Sequence, residues 1–451
     1  MILPTEFMER MQRLLGAEAS AFFQAMDGPR SYGLRVNPLK CSPAAFAERG
    51  LFGLTPVPWA AEGFYYDPET KPGRHPYYEA GVYYIQEPSA MAVGALADPK
   101  PGERVLDLCA APGGKTTHLA GRMQGKGLLI ANEIHPARAK ILSQSVERAG
   151  AANCIVTNET PQRLAERFPG YFNCIVVDAP CSGEGMFRKE DIAVAEWTPA
   201  APTKCAARQD EILDCAERML RPGGRLIYST CTFAPEEDEG AVARLLDRHP
   251  DFEISQVPGD PAFAPGRPDW IDVDLPALAD TFRLFPHRLN GEGHFVAALR
   301  KRDGAAFEPK HAVPLPEKLI PPEYTRFVAD TLYQRFDRLQ LGGDQLWALP
   351  DEAPDLSGLR VLRTGLQLGT VKKGRFEPAH ALALALQIKN VRACCNLSAE
   401  DPVLERFLRG ETIPCGEAGW TLVCTDEFSL GWGKGTDGIL KNHYPKGLRW
   451  K

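Results

Sequence analysis

The sequence predicts an α/β protein built on a doubly wound, mostly parallel sheet. Two observations carry this. Between residues 102 and 301, short apolar runs alternate with longer helical patterns, the signature of strands joined by crossover helices. The first of those runs passes directly into a glycine turn that opens a helix, as a ligand-binding sheet of this kind requires. The length of 451 residues exceeds one such sheet, and at roughly 150 residues per domain it predicts about three domains. A composition that is 44% hydrophobic and 24% charged excludes disordered, collagen-like and coiled-coil classes. The longest strongly apolar run, ALALAL at 381–386, falls far short of the eighteen or so residues that span a bilayer. The amino-terminal stretch MILPTEFMERM carries early charges and no apolar h-region, so no secretory signal is read and a cytoplasmic protein is expected.

Taken in order, Phe7, Met11, Leu14 and Leu15 fall on one helical face, and Ala21, Phe22, Phe23 and Met26 mark a second short helix. SYGLRVNPLK reads as a strand stopped by Asn37-Pro38. The stretch 55–84, rich in Pro, Gly and Tyr, reads as a loop-rich bridge. RVLDLCA (104–110) is a buried strand that runs into the helix start KTTHLAGRM. GLLIANE (127–133) is a second strand, followed by a helix over 136–149. CIVTN, FNCIVVD (172–178) and RLIYST (225–230) supply three more. A helix over 203–220 should end at Arg221-Pro222-Gly223-Gly224, where proline cannot continue it and glycine permits the turn. The Pro- and charge-rich stretch 303–322 reads as a linker. These breaks divide the chain into an accessory domain at 1–70, the α/β domain at 71–302, a first carboxyl-terminal domain at 323–388 and a last small domain at 389–451.

Twelve cysteines without a CxxC pair, in a long chain, predict neither a disulfide framework nor a structural zinc site. Most are expected as small buried apolar residues. The histidines show no metal-ligand spacing, so no metal is expected. The net charge of −6 is uneven: residues 361–451 hold thirteen Lys/Arg against nine Asp/Glu, and the rest of the chain carries −10.

Three ligands compete for the turn Cys109-Ala110-Ala111-Pro112-Gly113-Gly114-Lys115-Thr116. A Walker A loop would need glycine where Cys109 stands. The dinucleotide signature G-x-G-x-x-G is absent. S-adenosylmethionine needs a tight turn but no phosphate cradle, and it fits. The second strand ends in Glu133, where a carboxylate can accept both ribose hydroxyls of a nucleoside cofactor. The fourth strand ends Asp178-Ala179-Pro180-Cys181, and the fifth ends Thr230-Cys231-Thr232, so two cysteines and an acid share the carboxyl edge where ligands bind. A thiolate adding to carbon 6 of a pyrimidine makes carbon 5 nucleophilic enough to take a methyl group. An acid contacting N3 and the exocyclic amine stabilises the adduct, a role suited to Asp178. Loss of the carbon 5 proton then needs a base. The target base must be unstacked to be reached. On this logic either cysteine could be the nucleophile.

VLDLCAAPGGKT, ANEIHPAR, VDAPCSGEGMFRK and YSTCT, in this order and spacing, closely resemble the RNA 5-methylcytosine methyltransferases of the Sun/Nop type. The LRVN segment and the terminal HYPKGLRW extend the likeness, toward the bacterial ribosomal RNA members, over nearly the whole chain. The resemblance implies a Rossmann-like S-adenosylmethionine-dependent methyltransferase core, a small amino-terminal domain and a carboxyl-terminal PUA-like RNA-binding domain. It implies Cys231 as nucleophile, Cys181 as the residue that assists product release, and a cofactor held by residues 109–115, Glu133 and Asp178. A carboxylate usual in the family after the third strand is replaced here by Thr157-Asn158-Glu159-Thr160, which leaves Asn158 or Thr160 to contact the adenine end by hydrogen bonding. The implied substrate is ribosomal RNA in the decoding region of the small subunit, free or in an assembling subunit, methylated by a monomer.

For RNA contacts, Arg188-Lys189 is expected to hold a phosphate. The last twenty-one residues carry Lys434, Lys441, Lys446, Arg449 and Lys451 against Asp437 alone, interleaved with Trp432, Tyr444 and Trp450, a pattern that suits RNA. Methylation of another RNA such as tRNA, a P-loop-like nucleotide hydrolase, and a non-catalytic ribosome-assembly protein are the rival readings.

Overall fold

The computed structural model describes residues 3–451; Met1 and Ile2, part of the amino-terminal stretch read above, lie outside them. The core begins with β1 (Arg104–Asp107), α1 (Gly114–Arg122), β2 (Leu128–Asn132), α2 (Pro136–Ala149), β3 (Cys154–Thr157), α3 (Pro161–Arg167) and β4 (Phe172–Asp178). It continues with α4 (Ala201–Met219), β5 (Leu220–Thr230), α5 (Glu239–Arg248), β6 (Phe282–Leu284) and β7 (His294–Lys301). In space the order is β6-β7-β5-β4-β1-β2-β3, parallel from β5 to β3, with β7 antiparallel to β5. The chain leaves β1 toward β3 and then returns to lay β4 on β1's other side. That reversal opens a crevice beyond the carboxyl ends of β1 and β4.

The strands read as unbroken apolar runs because both faces are covered. Leu106, Ile130, Ile155 and Ile175 point to the layer that holds Leu213 and Met219 of α4. Their alternate neighbours Val105, Leu129, Val156 and Val176 meet Leu119 of α1 and Leu142 and Val146 of α2. Helix α2 and strand β4 span the residues the pattern predicts. The Arg221–Gly224 run does not lie outside the strand as a turn: it bulges within β5, where pairing jumps from Phe172↔Leu220 to Cys174↔Arg225 and Gly223 takes a φ of 72°. The cysteines also depart from expectation. Cys154, Cys174, Cys215, Cys395 and Cys424 are buried, but the other seven are partly exposed, several at the rims of loops, and all twelve are free thiols.

The amino-terminal module opens with helices Thr5–Leu15 and Ala19–Met26. Its four-stranded sheet is ordered Thr55–Pro56, Gly63–Tyr65, Gly33–Val36, Tyr83–Ile85. The bridge expected at 55–84 therefore supplies three strands, and the module runs past residue 70 to Ile85. Short antiparallel strands alternate with turns there, which is what dense Pro and Gly permit. Nor is 303–322 a free tether. Arg104 Nη1 meets Glu308 Oε2 at 2.6 Å, the Phe307 N–H donates to Gly170 O, and His311 bridges to Pro354. Strand Val361–Arg363 of the next module adds to the edge of β3.

The last module is a five-stranded sheet that shares a core with the first. Leu34, Phe46, Tyr77 and Tyr83 pack in one cluster with Phe407, Val423, Phe428 and Tyr444. Phe428 meets the Tyr77 ring edge-on at 5.0 Å, and the Tyr77 hydroxyl donates to Asp426 Oδ2 at 2.8 Å. Truncation at residue 389 would strip this core, so it cannot isolate an RNA contact. Phe428→Ala is expected to destabilise the full chain by about 3–5 kcal/mol, read as a lowered denaturation midpoint.

Candidate active site

The glycine turn after β1 is held from both sides. Gly113 is left-handed, with φ 112°, and a Cβ there would stand 2.7 Å from that of Ser145, whose hydroxyl donates to Pro112 O. From the amino-terminal module, buried Arg35 donates to Gln86 Oε1, to Thr117 Oγ1 at 2.7 Å and to Gly114 O. Thr116 donates to Asp107 Oδ2, and Asp107 Oδ1 is buried without a partner among the described residues. Burial raises this carboxyl to about 7, with Asp178 and Glu133 adding to the shift and the Thr116 hydrogen bond and Lys115 opposing it.

A cavity of about 660 Å³ follows the carboxyl edge of the sheet. One end is walled by Asn132, Glu133, Ile134 and His135, the other by Asp178, Cys181 and Cys231, with Cys109 and Ala111 between. Glu133 is 3% exposed, receives the His135 N–H at 2.8 Å and lies 3.5 Å from Arg138 Nη1, which leaves acceptor capacity toward the cavity. A buried carboxylate pair of oxygens at one end and a half-exposed Ile134 beside it fit a nucleoside with a cis-diol and a flat base.

Asp178 and Lys115 form an ion pair, Nζ to Oδ2 2.7 Å, and Ser229 donates to Oδ1 at 2.9 Å. Burial opposes both charges. For Asp178, Lys115 together with His294 and the Ser229 hydrogen bond outweighs burial and holds the carboxyl below its ordinary value. For Lys115, Asp178 outweighs burial and raises the ammonium further. An ionised Asp178 is an acceptor only, so the acid role expected toward a ring nitrogen does not fit it; the donor at its side is Lys115.

Cys181 and Cys231 bring their sulfurs to 3.3 Å. Their hydrogen bond, burial, and the charges of Cys231 and Glu237 raise the Cys181 thiol well above its usual range. Cys181 is thereby held toward its thiol form beside Cys231, and either sulfur can donate across the short gap.

Other expectations need correction. Asn158 donates its amide to Glu133 O at 2.7 Å and to Ile134 O, which shapes the loop after β2. The Thr160 hydroxyl caps α3 by accepting the Arg163 N–H. Neither lines the cavity; Pro161 and Gln162 do. Arg208, Glu211 and Ile212 of α4 form another wall that the motifs did not mark, though their i, i+3, i+4 spacing places them on one helix face.

The comparisons fit this geometry module by module. Residues 94–300 match the family model described as 16S rRNA methyltransferase RsmB/F. Residues 3–88 match the N-terminal domain of 16S rRNA methyltransferase RsmF, 326–386 the RsmF first C-terminal domain and 395–450 the RsmF PUA domain. The ribosomal RNA small subunit methyltransferase F of Erwinia tasmaniensis is 33% identical, covering 99% of this chain and 96% of its own. The chain belongs to the RsmF family of 16S rRNA methyltransferases. The protein of the same name from Cronobacter sakazakii is 34% identical over the same shares. Among solved structures, a methyltransferase homolog from Pyrococcus horikoshii has a TM-score of 0.57 at 32% identity, covering 65% of this chain and 93% of its own. NSun6 from the same organism, solved with SFG, has a TM-score of 0.56 at 22% identity, covering 67% and 99%, a likeness of fold.

The RNA contacts expected of this RsmF relative are partly displaced. Arg188 is tied inward: its guanidinium donates to Glu292 Oε2 at 2.6 Å, Ala25 O and Gly291 O, so it locks the loop after Cys181 instead of holding a phosphate. Lys189 beside it is exposed. Trp432 and Tyr444 are core residues, each 2% exposed, and Trp450 packs against the shared core. Trp420 is partly exposed. It stands cross-strand from Lys434, which pairs in turn with Lys441, and His443 lies 4.6 Å from its centroid. No helix among the described residues is long and apolar enough to cross a membrane.

Proposed function

We propose that the chain methylates carbon 5 of a cytosine in the decoding region of 16S rRNA, with Cys231 as nucleophile and S-adenosylmethionine as cofactor. The observation that supports it most is the thiol pair at one end of a cavity whose other end is a buried carboxylate. Glu133 and the 109–115 turn would hold the cofactor, which supplies an electrophilic methyl group when bound. Cys231 adds its sulfur to C6 and the ring electrons shift toward C5. Lys115 provides positive charge near that sulfur and near the adduct. Asp178 accepts from the exocyclic amine and so orients the ring. After C5 is methylated its proton leaves, the C6–S bond breaks and the electrons return to the ring. Cys181 gives its thiol proton to the departing Cys231 sulfur and takes the C5 proton in its place, so the release step balances. Bisulfite sequencing of 16S rRNA tests the reading. A strain lacking the gene should lose protection at one or a few cytosines, and an unchanged pattern would contradict it.

RNA is proposed to meet the last module along Trp420, Lys434, Lys441 and His443. Two lysines directly opposite each other disfavour the sheet unless an anion lies across them, and neither pairs with a carboxylate among the described residues. Replacing both by alanine should weaken RNA binding and reduce the slope of log K against log salt by about 1.4, at about 0.7 per single-stranded phosphate. A titration at several salt concentrations reads this directly.

A further inference from the structure

The turn that follows β5 carries a buried acid that the mechanism above does not use. Glu237 has no exposed surface. One carboxylate oxygen accepts the Ser182 N–H at 2.9 Å and the Gln209 side-chain N–H at 2.9 Å, and the other accepts the Ser182 hydroxyl. The same Gln209 amide donates to Pro180 O at 3.1 Å. Glu237 and Gln209 thus grip the backbone on both sides of Cys181. The Ser182 hydroxyl lies 2.8 Å from Thr232 Oγ1, so the clamp closes onto the residue after Cys231. Two hydrogen bonds from Ser182 to Glu237 and the Ser182–Thr232 contact thus tie the loop of one cysteine to the segment after the other, reinforcing the strand pairing that brings the sulfurs to 3.3 Å.

We propose that Glu237 is a positioning residue that fixes Cys181 against Cys231 and governs the release of methylated RNA. This rests on the roles given to the two cysteines above. A carboxylate that accepts two hydrogen bonds from Ser182 and one from Gln209 of α4 restrains that loop, and its charge favours the proton-bearing form of the neighbouring thiol. Protonation of Glu237 would weaken all three hydrogen bonds at once.

Its surroundings favour that change near neutrality. Burial, and after it the charge of Glu184, raise Glu237 to about 7 against the opposing hydrogen bonds of Ser182 and Gln209. The other titratable groups that face it are Cys181 and Cys205, Tyr228 on β5, whose hydroxyl donates to the Glu237 backbone carbonyl, and its chain neighbour Asp238. The release rate is expected to rise with pH through about 7 as the ionised clamp becomes complete.

Single-turnover kinetics on full-length protein test this, following methyl transfer and covalent RNA separately. Glu237→Gln should slow release of methylated RNA about tenfold, accumulate adduct, and flatten the pH dependence of release near 7. Methyl transfer itself should fall by less than release does. The double variant Cys181→Ala with Glu237→Gln should release RNA no more slowly than Cys181→Ala alone, because Glu237 acts through that thiol. Multiplicative losses in the double variant, or an unaltered release profile in Glu237→Gln, would overturn the proposal. If Cys181→Ala itself accumulates no adduct, the cysteine assignment fails instead, and the two failures are distinguishable. A loss of folding in Glu237→Gln would be bypassed with Gln209→Leu, which removes the donor shared by Glu237 and Pro180 and should slow release in the same way; normal release by a folded Gln209→Leu would also contradict the clamp.

Discussion

Replacing Cys231 with alanine is expected to lower methyl transfer by at least about a thousandfold and to leave no RNA bound through a denaturing gel. On the proposed roles the neighbouring substitution should behave in the opposite way. Cys181→Ala would keep the nucleophile and lose the group that handles the release proton, so RNA is expected to remain attached to the protein. The 3.3 Å separation gives both thiols access to one ring, which is why the contrast between the two variants is more informative than either alone. An adduct that survives Cys231→Ala and vanishes in Cys181→Ala would reverse the roles.

Asp178→Asn is the second large effect, an expected loss of about a hundredfold to ten-thousandfold in kcat/KM with the fold retained. The amide keeps the shape but leaves Lys115 without its counter-charge in a buried site. It also presents a donor where the base amine needs an acceptor. The acid behaviour follows from the same pair. Asp178 is held below its ordinary value, so the ion pair contributes stability above the usual carboxylate range and loses it as pH falls through the depressed folded value. Acid unfolding of wild type and of Asp178→Asn, compared by circular dichroism, checks this: the variant should lack that component.

Much of the site was legible because its residues stand at strand ends, and strand ends are where an alternating α/β pattern is easiest to read. Asp178, Cys181 and Cys231 meet although fifty residues part the two cysteines, since β4 and β5 are adjacent and parallel. Glu133 and, from the glycine turn, Cys109 and Ala111 reach the same cavity for the same reason. What the sequence concealed depends on side chains that answer to distant partners. Arg188 looks like a surface cation but is bound by Glu292, more than a hundred residues away in the chain. Trp432 and Tyr444 look like a stacking platform in a basic tail, yet both are buried in core clusters, while Trp420, on the same sheet face as Trp432 but nearer the strand end, stays partly exposed. The strands between 55 and 84 were hidden because each has only two or three residues, too few for a period-two pattern to register. Glu237 was hidden as one acid in a run of four; only its burial marks it.

The central claim is that Cys231 joins RNA through a sulfur–carbon bond, and peptide mapping of a trapped complex tests it most directly. A 16S fragment carrying 5-fluorocytosine at the target position cannot lose its C5 substituent as a proton, so the adduct should persist after methyl transfer. Mass spectrometry of the digested complex should find the modified nucleotide on the peptide containing Cys231 and none on the peptide containing Cys181. A nucleotide carried by Cys181, or no covalent complex in the presence of S-adenosylmethionine, would contradict the account.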